Sequence, residues 1–288
     1  MKSLFRRSHP SPQVGLLLAS DRILLACPGS APVFTSRAVN GPHEWARATT
    51  ELFAQHGLAK SKVRVALAAS LYQQIQIDKP DVPDAEMAGA LPWAIKDFVN
   101  EPVLQLAMDY VDLPTPPAGR PRINVVCMPK SRVQQVADAV NGAATLEAIV
   151  SDELAMTALY EADQTVRMLL WQPRGQELQL LVFYRGGLCF SRPLRGFVGL
   201  TGAHEPDQGM LDGLTLEIQR SLDYLAGQLK LPEPGQMQLA IGSPFIGTLV
   251  RHLEQAFGFP VSAMANKAVL AGVEYLCAYG AALGRSEG

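Results

Sequence analysis

The side chains able to do chemistry are scattered along this chain. Five histidines, at positions 9, 43, 56, 204 and 252, stand isolated, so a metal site or a nucleophile and its base would have to assemble from distant segments. They read as solvent-facing or structural. The four cysteines, 27, 127, 189 and 277, lack the paired spacing of zinc or thioredoxin-type sites and read as scattered, mostly buried thiols. Two carboxylate pairs, Asp109/Asp112 and Asp152/Glu153, are close in sequence. Adjacent helical positions point apart, and nothing nearby would drive two carboxyl pKa values apart, so they do not suggest a glycosidase. The sequence contains no G-x-x-x-x-G-K-S/T phosphate cradle, no G-x-G-x-x-G after a strand, no H-E-x-x-H and no G-x-S-x-G elbow.

Composition narrows the choice further. The 288 residues carry 25 Lys+Arg against 27 Asp+Glu, a net charge of −2, which provides no global basic field for nucleic acid. Charged residues make up 18% and apolar residues 48%, which fits neither a disordered segment nor a charge-rich coiled coil. The basic start MKSLFRR runs into Ser8-His9-Pro10-Ser11-Pro12 where a secretory signal needs an apolar region, so a cytoplasmic location is expected. The least polar stretch, Ala268 to Gly284, contains Glu274 and falls short of the ~20 residues that cross a bilayer.

The elements that must position any site follow from the apolar runs. Val14–Ala19, Ile23–Cys27 and Val33–Val39, separated by Ser/Asp and Pro-Gly turns, predict an antiparallel meander. A helix is expected over Trp45–His56 and an internal strand over Val63–Ala69. Residues 70–125 resemble an insertion, with an amphipathic stretch Asp84–Val99 and a proline-rich loop Leu113–Arg122. Strand Ile123–Met128, helix Ser131–Val140, a short extended Leu146–Ile149 and a helix Ser151–Ala162 close the first half. The second half repeats the pattern: strands Val166–Trp171, Leu178–Tyr184 and Leu188–Leu194, helix Met210–Leu229, strand Met237–Ile241, helix Phe245–Phe257, strand Pro260–Met264 and helix Val269–Leu283.

Periodicity alone supports an α/β protein with two similar halves. Duplicated βββαβα halves around a cleft describe the actin-like, ribonuclease H-like or sugar-kinase fold, in which ATP sits between the halves. The expected organisation is a flexible basic N-terminus (1–12), a first lobe (13–165) with an inserted subdomain at about 70–150, a second lobe (166–284) and a tail (285–288).

The run Leu216-Glu217-Ile218-Gln219-Arg220-Ser221-Leu222-Asp223-Tyr224 resembles the "EIQRSLDYY" helix of the PilM family of type IV pilus assembly proteins, and especially its MSHA-pilus branch, MshI. Trp93-Ala94-Ile95-Lys96-Asp97 followed by Asp109-Tyr110-Val111-Asp112-Leu113-Pro114 is similar to the MshI pattern W-x-I-K-D … D-Y-x-D-L-P. Val125–Lys130 and Tyr279–Gly284 also match in order, and the similarity covers most of 13–284. Taken singly, each block reads as local core. Leu214, Ile218, Leu222 and Leu225 form a helical stripe with Arg220 on its solvated side.

The resemblance implies an ATP site, and this sequence departs from it. Against the family's G-x-D-x-G-S/T hairpin stands Gly15-Leu16-Leu17-Leu18-Ala19-Ser20, with Leu17 in place of the acid and Ala19 in place of the turn glycine. The second hairpin, usually D-x-G, aligns with Leu169-Leu170-Trp171-Gln172-Pro173, and the adenosine loop with Ala240-Ile241-Gly242-Ser243-Pro244. The expectation is therefore a pseudo-ATPase with no catalytic residue, no metal and no required cofactor. Ser20, Glu217, Arg220, Gly242 and Ser243 would line a vestigial nucleotide cleft. The resemblance further implies a cytoplasmic scaffold at the inner membrane of a bacterium, docking the N-terminal tail of a PilN-like bitopic membrane protein, with a pilus motor ATPase or platform protein as further partner. Membrane contact would be indirect. Apolar residues of the insertion, Tyr72, Ile75, Ile77, Trp93 and Phe98, are the candidate tail contacts. The alternative is a living actin-like ATPase or small-molecule kinase that binds ATP and Mg²⁺ through Ser20, Glu217 and Gly242, with Asp21 as the substitute acid.

Overall fold

In the computed structural model, which describes residues 13–115, 120–173 and 175–284, the strands carry the two-sided apolar pattern of an internal sheet. Every residue of β1 (Gln13–Leu18) after Gln13 is buried, and so are the four that follow Arg22 in β2 (Arg22–Cys27), so both faces of these strands must be covered. β2 pairs antiparallel with β1 and with β3 (Val33–Ala38). β4 (Lys62–Leu67) and β8 (Thr145–Ser151) add in parallel, giving the order β3-β2-β1-β4-β8. Each parallel addition needs a crossover, supplied by α1 (Trp45–Gln55) and α3 (Lys130–Asn141). The N-terminal segment 1–12 and the tail 285–288 lie outside the described residues.

The second sheet repeats this topology. Strands β9 (Val166–Gln172), β10 (Leu178–Tyr184), β11 (Gly187–Leu194), β12 (Pro234–Ile241) and β13 (Val261–Ala263) lie in the order β11-β10-β9-β12-β13, with α5 (Gln208–Gly227) and α6 (Ile246–Phe257) as crossovers. Arg185 and Gly186 join β10 to β11 with φ of 53° and 78°, the left-handed pair that a tight hairpin turn requires.

Strand alternation divides the side chains between two outer cores and one shared inner core. Val14, Leu16 and Leu18 pack against Trp45, Leu52 and Phe53, while Met168 and Leu170 pack against Leu214, Ile218 and Leu249. The opposite faces, Leu17, Leu24 and Ala66 on the first sheet and Leu169, Trp171 and Phe183 on the second, meet around the C-terminal helix α8 (Leu276–Leu283). This helix sits so close to β1 that a β-carbon on Gly15 would overlap the Ala278 carbonyl, and one on Gly280 would overlap the Ala155 carbonyl. Glycine is required there by packing.

Two expected helices are shorter than the sequence pattern suggests. The stretch Ser151–Ala162 forms only the single turn α4 (Asp152–Ala155), capped by the Ser151 hydroxyl and followed by a 3₁₀ turn Met156–Leu159, because Ala155 and Met156 must fit against Gly280. The stretch Val269–Leu283 is broken at Gly272, whose φ of 152° ends α7 (Lys267–Ala271) before α8 begins.

Between β4 and β8 in sequence lies a third sheet. Strands β5 (Gln73–Asp78), β7 (Arg122–Pro129) and β6 (Leu106–Asp112) are antiparallel in the order β5-β7-β6. One face is covered by α2 (Asp84–Ile95), whose Met87, Leu91 and Ile95 fall at helical spacing onto Ile77, Ile123, Val125 and Cys127. The sequence pattern predicts β7 but neither β5 nor β6.

Candidate functional site

The other face of the small sheet is what positions a site. The strand register places Gln74, Val126 and Asp109 side by side, then Gln76, Asn124 and Val111. This face looks onto two hollows. Toward the first sheet lies an apolar groove of about 290 Å³, walled by Ala107, Val111, Val126 and Met128 on one side and by Val133, Ile149 and Leu154 on the other, while Met108 turns to the core under α2. β6 and β8, which flank it, are both terminal strands of their sheets, so among the described residues each has a backbone edge without a sheet partner. Toward the second sheet lies a polar cleft of about 360 Å³, in which Gln74, Gln76 and Asn124 face Phe190, Ser191 and Tyr224.

The partition between the hollows is Tyr72, which lines both. Its hydroxyl donates to Asp152 Oδ1 at 2.7 Å, and the Ala69 amide donates to Asp152 Oδ2 at 3.0 Å. Asp152 is 5% exposed, and burial pushes its carboxyl above the ordinary range against the opposing pull of these donors. Glu153 is raised by the same desolvation; its carboxylate accepts a hydrogen bond from Ser191 of the second sheet and lies in the cleft with Gln74. Burial also raises the pKa of the Tyr72 phenol, with the Asp152 charge adding to it. The sequence pattern marks this acid pair only as first-turn residues of a helix. Its burial depends on partners some 80 residues away, a relation that local pattern does not encode.

The residues expected to line a nucleotide cleft lie elsewhere. Ser20 is an exposed turn residue, and the turn is held by the Trp45 indole donating to the Ala19 carbonyl at 3.0 Å. Asp21 pairs with Arg22 at 2.7 Å, and that hydrogen bond holds its carboxyl below the usual range. Leu17 and Trp171 belong to the inner core, and the Trp171 indole donates to the Val273 carbonyl at 3.1 Å. Gln172 is fully buried and spends its amide on the carbonyls of Gln176 and Phe197, closing the β9–β10 turn. Gly242 donates to the Gln172 carbonyl, and the Ser243 hydroxyl accepts from the Phe245 amide. Glu217 is bonded by both Arg192 and Arg220, so two guanidiniums already compensate its charge. None of Ser20, Glu217, Arg220, Gly242 or Ser243 lines the groove or the cleft. Among the described residues no group of three or more His, Cys, Asp or Glu side chains is placed to hold a metal ion.

Of the expected partner contacts, only Tyr72 lines the groove. Ile75 and Ile77 point the other way, into the core under α2, because alternation along β5 gives the groove and cleft face to its glutamines. Trp93 and Phe98 are 75% and 62% exposed on α2 and the turn after it, outside the groove. The groove walls that sequence reading misses include Ala107 and Val111, whose alternation with the core-facing Met108 and Tyr110 in LAMDYVD is a two-faced strand signal.

No family model matches the sequence, and no curated protein does. Solved structures do. A Bacteroides thetaiotaomicron protein described as having an actin-like ATPase fold and unknown function superposes with a TM-score of 0.52 at 12% identity, over 91% of this chain and 96% of that one. The fold is actin-like. A chain of a structure described as a PilM–PilN type IV pilus biogenesis complex matches with a TM-score of 0.67 at 18% identity, covering 95% of this chain and 98% of that one. The cytoplasmic domain of EpsL, an inner-membrane component of the type II secretion system of Vibrio cholerae, matches at 0.50 and 14% identity over 91% and 93%. Among the described residues no helix of this actin-like chain is long and apolar enough to cross a membrane.

Proposed function

We propose that this protein is a cytoplasmic scaffold of a type IV pilus or related secretion platform at the bacterial inner membrane, and of the MSHA branch in particular. It docks the N-terminal cytoplasmic tail of a PilN-like bitopic protein, so membrane contact is indirect, and a motor ATPase or platform protein is a further partner. Residues 13–165 and 166–284 act as its two lobes. The observation that carries the reading is the apolar groove between two strand edges. An extended tail laid along β6 would satisfy its backbone there and set alternate apolar side chains against Val111, Val126 and Ile149. The likeness to a PilM–PilN complex chain and to the EpsL cytoplasmic domain supports this reading at the level of fold.

The test is calorimetric titration with a synthetic peptide of the N-terminal tail of a PilN-like single-span protein from the same organism. Val111→Asp and Val133→Asp each place a charge in the groove wall and are expected to weaken binding about ten-fold or more. Trp93→Ala and Phe98→Ala, outside the groove, are expected to bind as the parent does. Groove variants with unchanged affinity would remove the groove from the assignment.

The same reading makes the chain a pseudo-ATPase. The acids that would orient Mg²⁺ are replaced by core residues Leu17 and Trp171, and Glu217 is held by two arginines, which leaves phosphate charge uncompensated. No Mg²⁺-dependent phosphate release above buffer is expected. Saturable ATP binding together with Mg²⁺-dependent release would overturn the point.

A further inference from the structure

One helical turn, α4, touches all three sheets. It continues directly from β8 of the first sheet through its cap Ser151. Asp152 reaches back to Ala69 and Tyr72, where the chain enters the small sheet. Glu153 accepts from Ser191 on β11 of the second sheet and shares the polar cleft with Gln74 on β5 of the small sheet. Leu154 and Ser151 line the apolar groove, and the carbonyl of Ala155 rests against Gly280 of the helix that forms the inner core. An object wedged into the groove therefore pushes on the same four-residue turn that fastens the first and small sheets to the second. Packed elements of this kind shift between discrete arrangements and do not yield continuously.

We propose that the Asp152–Glu153 turn is a relay, through which occupancy of the groove changes the position of the small sheet relative to the second sheet. The proposal rests on the docking reading for the identity of the occupant, but the mechanical link stands on contacts internal to the chain. The Tyr72–Asp152 bond transmits displacement of the small sheet to α4, and the Glu153–Ser191 bond transmits it onward. Ser191 lies in the polar cleft and not in the groove, and its hydrogen bond to Glu153 ties it to this turn. A tail bound in the groove would thus be reported at the second sheet, a surface the tail does not touch. Linkage makes the effect reciprocal: loosening the second-sheet contact must alter affinity in the groove by the same factor.

The experiment uses the full chain with Cys27→Ser and nitroxide labels on Asp97→Cys and Asp212→Cys, exposed positions after α2 and on α5, the other three cysteines being buried. The distance between labels is measured by pulsed electron resonance. A wedge built into the groove itself, Val111→Trp, is expected to shift the distance distribution, and adding Ser191→Ala is expected to abolish that shift. Ala107→Trp, on the same wall, serves if the first wedge does not fold. In a second arm, Ser191→Ala is expected to change the affinity of the synthetic tail peptide about five-fold or more. A wedge that leaves the distance unmoved, or one that moves it equally with Ser191→Ala, overturns the relay. So does a tail affinity that ignores Ser191. Failure of the peptide to bind at all would count against the docking reading, and the wedge arm would still decide the relay.

Discussion

Leu17→Asp, which restores an acid to the position where actin-like ATPases carry one, is expected to cost the protein most of its stability and to produce no ATPase. Leu17 is 8% exposed and packs in the inner core with Leu24, Ala66, Leu169 and Trp171. The nearest cation along the hairpin, Arg22, is already paired with Asp21. A carboxylate there would be buried without a partner, a cost of roughly 3–5 kcal/mol. The lost burial of the leucine adds about 1.5–3 kcal/mol. Against a total stability of about 5–15 kcal/mol, that is enough to bring a domain to the edge of unfolding. Urea denaturation followed by circular dichroism measures it. A midpoint equal to the parent's would mean that the hairpin has room for an acid and its metal, and the pseudo-ATPase reading would fall with it.

That position also shows what the sequence makes legible. Strands covered on both faces carry near-continuous apolar runs, so VGLLL, RILLAC and VRMLLW stand out, and the repeat of the pattern in the second half points to duplicated halves. The small sheet is half visible because only one of its faces packs on a helix. In β5, Ile75 and Ile77 face the core under α2 while Gln74 and Gln76 face the cleft, and a polar run with two isoleucines reads as insertion loop. Helix lengths fail where tertiary contact overrides propensity. Nothing local stops the run Ser151–Ala162 after one turn, but the Gly280 backbone does so from the far end of the chain.

The departures from the family's two hairpins are legible residue by residue, and the structure places the residues concerned, Leu17 and Trp171, in the inner core. The groove and the buried acid pair are not legible, because they are assembled from segments 69–74, 107–111, 124–128, 149–154 and 191, whose proximity is a property of topology. Trp93 and Phe98 stand out in sequence as aromatics and are exposed outside the groove, whereas the groove is walled by ordinary strand residues such as Val111 and Val126.

The acid pair itself carries the second large effect. Asp152 accepts from the Ala69 amide, the Tyr72 hydroxyl and the Glu153 amide, at 3.0, 2.7 and 2.9 Å. Asp152→Ala leaves these buried donors unpaired, at about 1–3 kcal/mol each where water cannot reach them. Tyr72→Phe alone removes one bond, and in combination it removes one of the orphaned donors, so the double variant is expected to be more stable than the sum of the singles predicts. Additive losses would mean that the bond contributes nothing of its own. Glu153→Gln acts in the opposite sense. Burial raises the Glu153 carboxyl above its ordinary 4.5, so the folded chain holds that proton more tightly than the unfolded chain. The stability this contributes is full below pH 4.5 and is lost as the pH rises through the folded value. The amide of the Glu153→Gln variant stays neutral throughout and keeps an oxygen for Ser191. The variant is therefore expected to match or exceed the parent at pH 7 and to show a flatter fall in denaturation midpoint above pH 4.5. A midpoint at pH 7 well below the parent's would show instead that the charge on Glu153 holds the sheets together.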